Sequence, residues 1–191
     1  MTLSLPGFAD PVADAQACFR AVLTAMSRPG TPQRITSPLT PPAPLGIAAA
    51  AVLLTLVDGD TSLYLADHFA NAADWLRFHC GTDPSPDRTT AGFVLADSLP
   101  DLATLAQGSD EAPQDSATLL LPVESLTAGA RFTLRGPGLQ APTPLAVTGL
   151  PPDFAARWAD NHAQFPRGID LILCAGDTLV ALPRSLSLGE A

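Results

Sequence analysis

The chain has 191 residues, of which 47% are apolar, 15% charged and 6% aromatic; this fits one globular domain with a self-sufficient core and excludes a disordered chain. Sixteen aspartates and three glutamates against ten arginines leave a net charge of −9, which argues against non-specific attraction to nucleic acid or to an anionic membrane. Every basic residue is an arginine, and the absence of lysine excludes a Schiff base to pyridoxal phosphate and the phosphate-binding lysine of a P-loop or kinase strand.

In chain order, Asp10-Pro11 offers an N-cap with proline at the first helical position, and Ala15, Cys18, Phe19, Val22, Leu23 and Met26 recur at helical spacing on one face. Arg28-Pro29-Gly30 ends this helix, and the prolines at 32, 38, 41, 42 and 44 predict loop or extended chain. A second helix is expected over Leu45 to Val57, apolar on almost every side and therefore buried all round. Asp58-Gly59-Asp60 signals a turn and Leu63-Tyr64-Leu65 a short strand, followed by a third helix marked by Phe69, Ala72, Ala73, Leu76 and Cys80, with Gly81 placed to end it.

Phe93 to Ala96 reads as a buried strand, and Ser98-x-x-Asp101 resembles a capping box opening a short helix to Gln107. Residues 108–116 form an acidic surface loop. Beyond it the period changes to two: Thr118 to Val123 is a strand, and Arg131 to Arg135 alternates polar and apolar, so one of its faces is wet or lines a site. Pro142 and Pro144 restrict the next piece to loop or edge strand. Phe154, Ala155, Trp158, Ala159 and His162 mark a last helix, and Ile169 to Cys174 with Thr178 to Leu182 form a hairpin ended by Pro183. The class is α/β with a mixed sheet covered on both faces, within a single domain, 1–191, whose core spans about 10–186.

Gly136-Pro137-Gly138-Leu139-Gln140-Ala141 has the spacing of a dinucleotide fingerprint, but Pro142 and Pro144 forbid the helix that fingerprint requires. A tight glycine turn is expected instead, with Arg131 and Arg135 close enough to join its N–H groups around a phosphate. Arg28, Arg167 and Arg184 also stand at element ends, where sites gather. Cys18, Cys80 and Cys174 are an odd set without a C-x-x-C pair, so buried free thiols are expected rather than disulfides or a zinc site. His79 beside Cys80 reads as a helix-terminal histidine, His68 and His162 lack neighbours at ligand spacing, and Asp58 and Asp60 belong to a turn. No nucleophile elbow, H-E-x-x-H, metal ligand set or cofactor motif occurs. The longest apolar run, Leu45 to Leu54, is too short to span a bilayer, and no export signal opens the chain, so a cytoplasmic protein is expected.

Several segments together resemble the PhnH family of the bacterial carbon-phosphorus lyase system. They are Asp14-Ala15-Gln16, Phe19-Arg20, Leu23 and Ala25 to Gly30, then Leu53 to Asp58 with Thr61, Arg77-Phe78-His79, Leu134 to Gly138, Phe165 to Leu173, and Leu182-Pro183-Arg184. The resemblance implies a three-layer αβα fold like the large domain of pyridoxal-phosphate-dependent transferases, without that cofactor. It also implies a place beside PhnG, PhnI and PhnJ in a core complex that converts ATP and a phosphonate to ribose 1-phosphonate 5-triphosphate and adenine. A homodimer is implied for the isolated subunit, through a surface that another subunit covers in the complex. In Phe165-Pro166-Arg167-Gly168 an aliphatic residue is expected where Arg167 stands, so no family role passes to that position.

The family supplies no agreed catalytic residues. Arg28, Arg135 and Arg184, with Gly136 and Gly138, are therefore candidates for phosphate binding only, on the chemistry of guanidinium forks and glycine N–H groups. The leading expectation is an accessory subunit with no activity alone. Its alternatives are a stand-alone enzyme acting on a phosphorylated metabolite through an arginine-lined pocket, and a homodimeric structural protein.

Overall fold

A computed structural model of the protein describes residues 5–190. Asp10 caps the first helix, α1 (Pro11–Ser27): its carboxylate accepts from Val12 N at 3.2 Å and Ala13 N at 3.1 Å, while the Asp14 carboxylate accepts from Asp10 N at 3.0 Å. Strand β1 (Gln33–Arg34), helix α2 (Ile47–Leu56), strand β2 (Leu63–Leu65), a 3-10 segment (Asp67–Ala72) and helix α3 (Ala73–Cys80) follow. Gly81 closes α3 in the left-handed conformation, φ 71°. Strands β3 (Phe93–Leu95), β4 (Thr118–Pro122), β5 (Ser125–Arg135) and β6 (Thr143–Thr148), helix α4 (Phe154–His162), and strands β7 (Asp170–Ala175), β8 (Thr178–Leu182) and β9 (Ser187–Glu190) complete the chain.

Six strands form a mixed sheet in the order β1-β8-β7-β4-β3-β2, in which β2, β3, β4 and β7 run parallel and β7-β8 is the expected hairpin. Its central strands are apolar at successive positions because both faces are buried. One face carries Leu95, Leu120, Ile172 and Cys174 into a core with α1, α2 and α3; the other carries Val94, Leu119, Leu121, Leu171 and Leu173 into a second core.

The second core departs from the expected helix-sheet-helix layering. Its cover is helix α4 together with a three-stranded antiparallel sheet, β6-β5-β9. Only Arg131 to Arg135 reads as a strand in the sequence, because the Ala128-Gly129-Ala130 stretch carries no alternation and a register shift lies between Ser125 and Ala130. Phe132 and Leu134 point into the core and Arg131 and Arg135 outward, as the alternation predicts. Pro144 is accommodated because β6 is an edge strand.

Three further expectations are corrected. The helix expected from Ser98 to Gln107 is a single 3-10 turn, Leu102–Thr104, capped by Asp101, whose carboxylate accepts from Ala103 N at 3.1 Å. Gln107 Nε2 then donates to the Leu102 and Leu105 carbonyls and arrests the turn. The third helix is split, its first turns being 3-10. On α1 the core line is Cys18, Val22 and Ala25, whereas Phe19 and Leu23 lie exposed. A helix turns about 100° per residue, so packing the Cys18 line onto α2 and β8 carries its neighbours out to the rim.

Leu120, fully buried at the centre of β4, is expected to cost about 3 kcal/mol when changed to alanine. Asp10→Ala, a lost cap, is expected to cost about 1 kcal/mol. Urea unfolding of both variants checks the order; equal losses would contradict the placement of Leu120.

Candidate functional site

The residues picked out as phosphate-binding candidates lie far apart in sequence and meet at one end of the molecule. Gly138 stands against the end of α1, at φ 85°, where a Cβ would collide with the Ser27 carbonyl oxygen. A Cβ on Gly136 would lie 3.1 Å from the Ser185 carbonyl oxygen, so the turn is seated between the 27–30 and 183–187 segments. The glycine turn joins β5 to β6, with Leu139 N donating to the Gly136 carbonyl at 3.3 Å, and no helix follows it. Arg28 caps the end of α1, and Arg135 ends β5 opposite Ser187, whose hydroxyl donates to the Arg135 carbonyl at 3.3 Å. Both arginines are exposed, and among the described residues neither has a carboxylate within 4 Å.

Arg184 is held very differently. Its backbone N and Nε donate to Asp170 Oδ1 at 2.8 and 3.2 Å, Nη2 to Asp170 Oδ2 at 2.6 Å, and Nη1 to the Pro113 carbonyl at 2.6 Å. Both side chains of this pair are only 15% exposed. The carbonyl of Arg184 in turn meets His162 Nδ1 at 3.0 Å, at the end of α4. Three of the five guanidinium N–H groups are therefore committed to the fold. Asp170 belongs to no motif that marks it as a partner of Arg184; the clue is its position one residue before Leu171, whose antiparallel partner Leu182 stands two residues before Arg184. An open cleft of about 400 Å³ lies over this pair, with Met26 and Phe165 on its walls.

Arg131 is exposed on β5, and Arg167 forms an exposed pair with Asp110 at 3.4 Å. The thiols do not gather into a site. Burial pushes Cys80 up to about 11 and Cys174 up to about 12, and raises Cys18, so none is a ready nucleophile at neutral pH. His79 Nε2 lies 3.2 Å from the Leu5 carbonyl, and its ring packs edge-on to Trp75. Among the described residues no group of three histidine, cysteine or acidic side chains is arranged to hold a metal, and no helix is long and apolar enough to cross a membrane.

A second surface feature is apolar. Val12, Phe19 and Leu23 follow one another along the outer side of α1, exposed by 69, 51 and 57%. The half-buried Ala15 stands between Val12 and Phe19, and together the four side chains form a stripe at helical spacing. Towards its end the half-buried Met26 faces the cleft shared with the exposed Phe165.

These features describe a mixed α/β protein with paired cores, an arginine-bearing loop cluster and an apolar helix face. Residues 6–189 match the family model described as bacterial phosphonate metabolism protein (PhnH), and the chain belongs to that family. It is 41% identical over 186 residues to the "Alpha-D-ribose 1-methylphosphonate 5-triphosphate synthase subunit PhnH" of Rhizobium meliloti (strain 1021), covering 95% of this chain and 93% of that one. It is 36% identical over 171 residues to the "Putative C-P lyase subunit protein HtxG" of Stutzerimonas stutzeri, covering 89% of this chain and 83% of that one.

Arg184→Ala strands the buried Asp170 carboxylate and is expected to cost about 3 kcal/mol. Adding Asp170→Asn should recover part of that loss in thermal unfolding; no recovery would show that the pair is not the cause. Alkaline stability offers another check. The buried thiols keep their protons to higher pH than in the unfolded chain, so stability falls as pH rises from about 9 to about 12. With no lysine and one tyrosine, few other side chains titrate there, and Cys174→Ala should flatten the slope of stability against pH in that window.

Proposed function

We propose that the chain is an accessory subunit of a carbon-phosphorus lyase core complex. The observation that carries this reading is the similarity over 95% of the chain to a protein named as a synthase subunit. In that reading the complex converts ATP and a phosphonate to ribose 1-phosphonate 5-triphosphate and adenine, with partner subunits of the PhnG, PhnI and PhnJ types carrying the chemistry. The chain acts in the cytoplasm as a single PhnH-like domain, and its fold is related to that of pyridoxal-phosphate-dependent transferases without using the cofactor.

The exposed stripe Val12, Phe19 and Leu23 supports a role in assembly, because large apolar side chains standing in a row on one helix gain by being covered. The same stripe serves the homodimer of the isolated subunit and is taken over by a partner in the complex. Arg28 and Arg135, with the N–H groups of Gly136 and Gly138, form a surface to which a phosphate of substrate or product binds at the subunit boundary. Arg184 holds the segment beside that surface and lends it only the N–H groups left over from Asp170 and Pro113.

Co-expression with the other core subunits should yield a co-purifying complex. Phe19→Asp, which leaves the core line of α1 intact, should abolish co-purification and dimerisation while preserving the thermal transition. Turnover of ATP and a phosphonate by the isolated chain would overturn the accessory reading.

A further inference from the structure

Parallel strands β2 and β3 are neighbours, pairing Leu63 with Phe93, Tyr64 with Val94 and Leu65 with Leu95. Past their carboxyl ends the chain departs to opposite sides of the sheet. After β2 it turns into the first core through Phe69 and Ala72, whereas after β3 it turns into the second through Ala96, Leu102 and Leu105. Such a divergence opens a crevice at the carboxyl edge of a parallel sheet, the position at which open α/β sheets take their ligands. A cavity of about 270 Å³ lies there.

Six polar side chains line it: Tyr64, Asp67, His68, Arg88, Asp97 and Ser98. Asp67 and Asp97 stand two residues beyond the paired Leu65 and Leu95, at equivalent places on the two banks. Arg88 comes from a turn that runs beside β2, where Ser85 bridges to Tyr64 and Ser85 N donates to the Leu63 carbonyl at 2.6 Å. That turn is built tightly. Asp87 Oδ1 accepts from Thr89 N at 2.8 Å and Thr89 Oγ1 at 2.7 Å, and Ser85 Oγ accepts from Asp87 N at 3.1 Å. On the other bank, Arg157 of α4 donates to the Leu99 and Pro100 carbonyls and fixes the loop that carries Asp97 and Ser98.

Anchored walls contrast with idle side chains. Among the described residues, none of the six forms a side-chain hydrogen bond, and Arg88 has no carboxylate within 4 Å. Asp67, Arg88 and Asp97 are exposed and open to a ligand, as Arg28 and Arg135 are, whereas Asp10, Asp58, Asp87, Arg34 and Arg184 are engaged in turns, caps and pairs. Two acceptor-only carboxylates and one fork of donors on the walls of one small crevice match a ligand of opposite polarity at its two ends. One guanidinium against two carboxylates leaves the crevice net negative, which disfavours a polyanion such as a triphosphate.

We propose that this crevice binds a small zwitterion bearing a primary ammonium group at one end and a phosphonate or phosphate monoester at the other. The ammonium sits between Asp67 and Asp97, and the tetrahedral oxyanion lies on Arg88 with donors from the Tyr64 and Ser98 hydroxyls. The choice of a tetrahedral oxyanion over a carboxylate rests on the reading of the chain as a phosphonate-system subunit; the zwitterionic polarity rests on the side chains alone.

Isothermal titration of the full chain tests this with 2-aminoethylphosphonate, phosphoethanolamine, methylphosphonate and β-alanine. One saturable site for 2-aminoethylphosphonate or phosphoethanolamine is expected, and whichever binds more tightly identifies the oxyanion as a phosphonate or a phosphate ester. Methylphosphonate, lacking the amine, should bind about tenfold or more weakly, and Arg88→Ala and Asp97→Asn should each weaken binding by about tenfold. Arg20→Ala, on exposed α1, should change nothing. Absence of saturable binding, methylphosphonate binding as tightly as the amine, or variants that bind like the parent would overturn the site. β-Alanine binding as tightly as 2-aminoethylphosphonate would overturn the tetrahedral oxyanion. Because the titration uses the isolated chain, failure to bind leaves the subunit reading standing, and failure to co-purify with partners leaves the binding result standing.

Discussion

The corner at Arg184 ties the two sheets together. Strand β8 ends at Leu182 in the large sheet, and β9 begins at Ser187 in the small one, so four residues must carry the chain from one layer to the next. Arg184 pins that crossing to Asp170 at the start of β7 and to the Pro113 carbonyl, while its own carbonyl meets His162 of α4. Two residues on, the Leu186 carbonyl accepts from Trp158 Nε1 at 2.9 Å, completing the attachment of α4. A buried ion pair is not by itself a large stabiliser, since desolvation offsets most of its attraction. Its value lies in direction: the Asp170 carboxylate accepts a backbone N–H and the Nε and Nη2 edge of the guanidinium, while Nη1 turns to the Pro113 carbonyl, and this arrangement is met at only one position of the crossing.

Once the corner is set, the glycine turn has a defined bed. The turn lies between the end of α1 and the 183–187 segment, and Gly138 approaches Ser27 too closely for any side chain. Three loops distant in sequence thus share one surface, bearing the exposed Arg28 and Arg135. The crevice at β2 and β3 lies elsewhere, at the carboxyl edge of the parallel strands. It has the opposite character, with two carboxylates and a single arginine. The apolar stripe of α1 is a third surface with its own physics, suited to covering by protein rather than by a small ligand.

Legibility in the sequence followed the range of the interactions involved. The cap at Asp10, the stop at Gly81, the β7-β8 hairpin and the alternation from Arg131 to Arg135 depend on neighbours within a few residues, and each is found where the pattern places it. Phe19 and Leu23 could not be placed so readily. Their spacing shows that they lie near the apolar side of α1, but which line of that side faces α2 depends on how the two helices meet. Strand β9 and the first half of β5 carry little alternation; β9 exists because β5 offers it a partner, and the first half of β5 because β6 does.

The amino-acid sequence alone determined the chemical repertoire: an acidic chain whose only fixed cations are arginines, with no lysine for a Schiff base. It also determined the α/β class, because hydrophobic period and turn residues are local properties of the chain. Family membership was readable there too, in segments running from Asp14 to Arg184. The tertiary structure decided how that repertoire is spent. Arg184 is drawn into the fold by Asp170, whereas Arg28 and Arg135 stay exposed. Arg88, Asp67 and Asp97 converge on a crevice without bonding to one another. A guanidinium reads the same in any sequence. Whether it is consumed or left open depends on which carboxylates the packing of the two cores brings within reach.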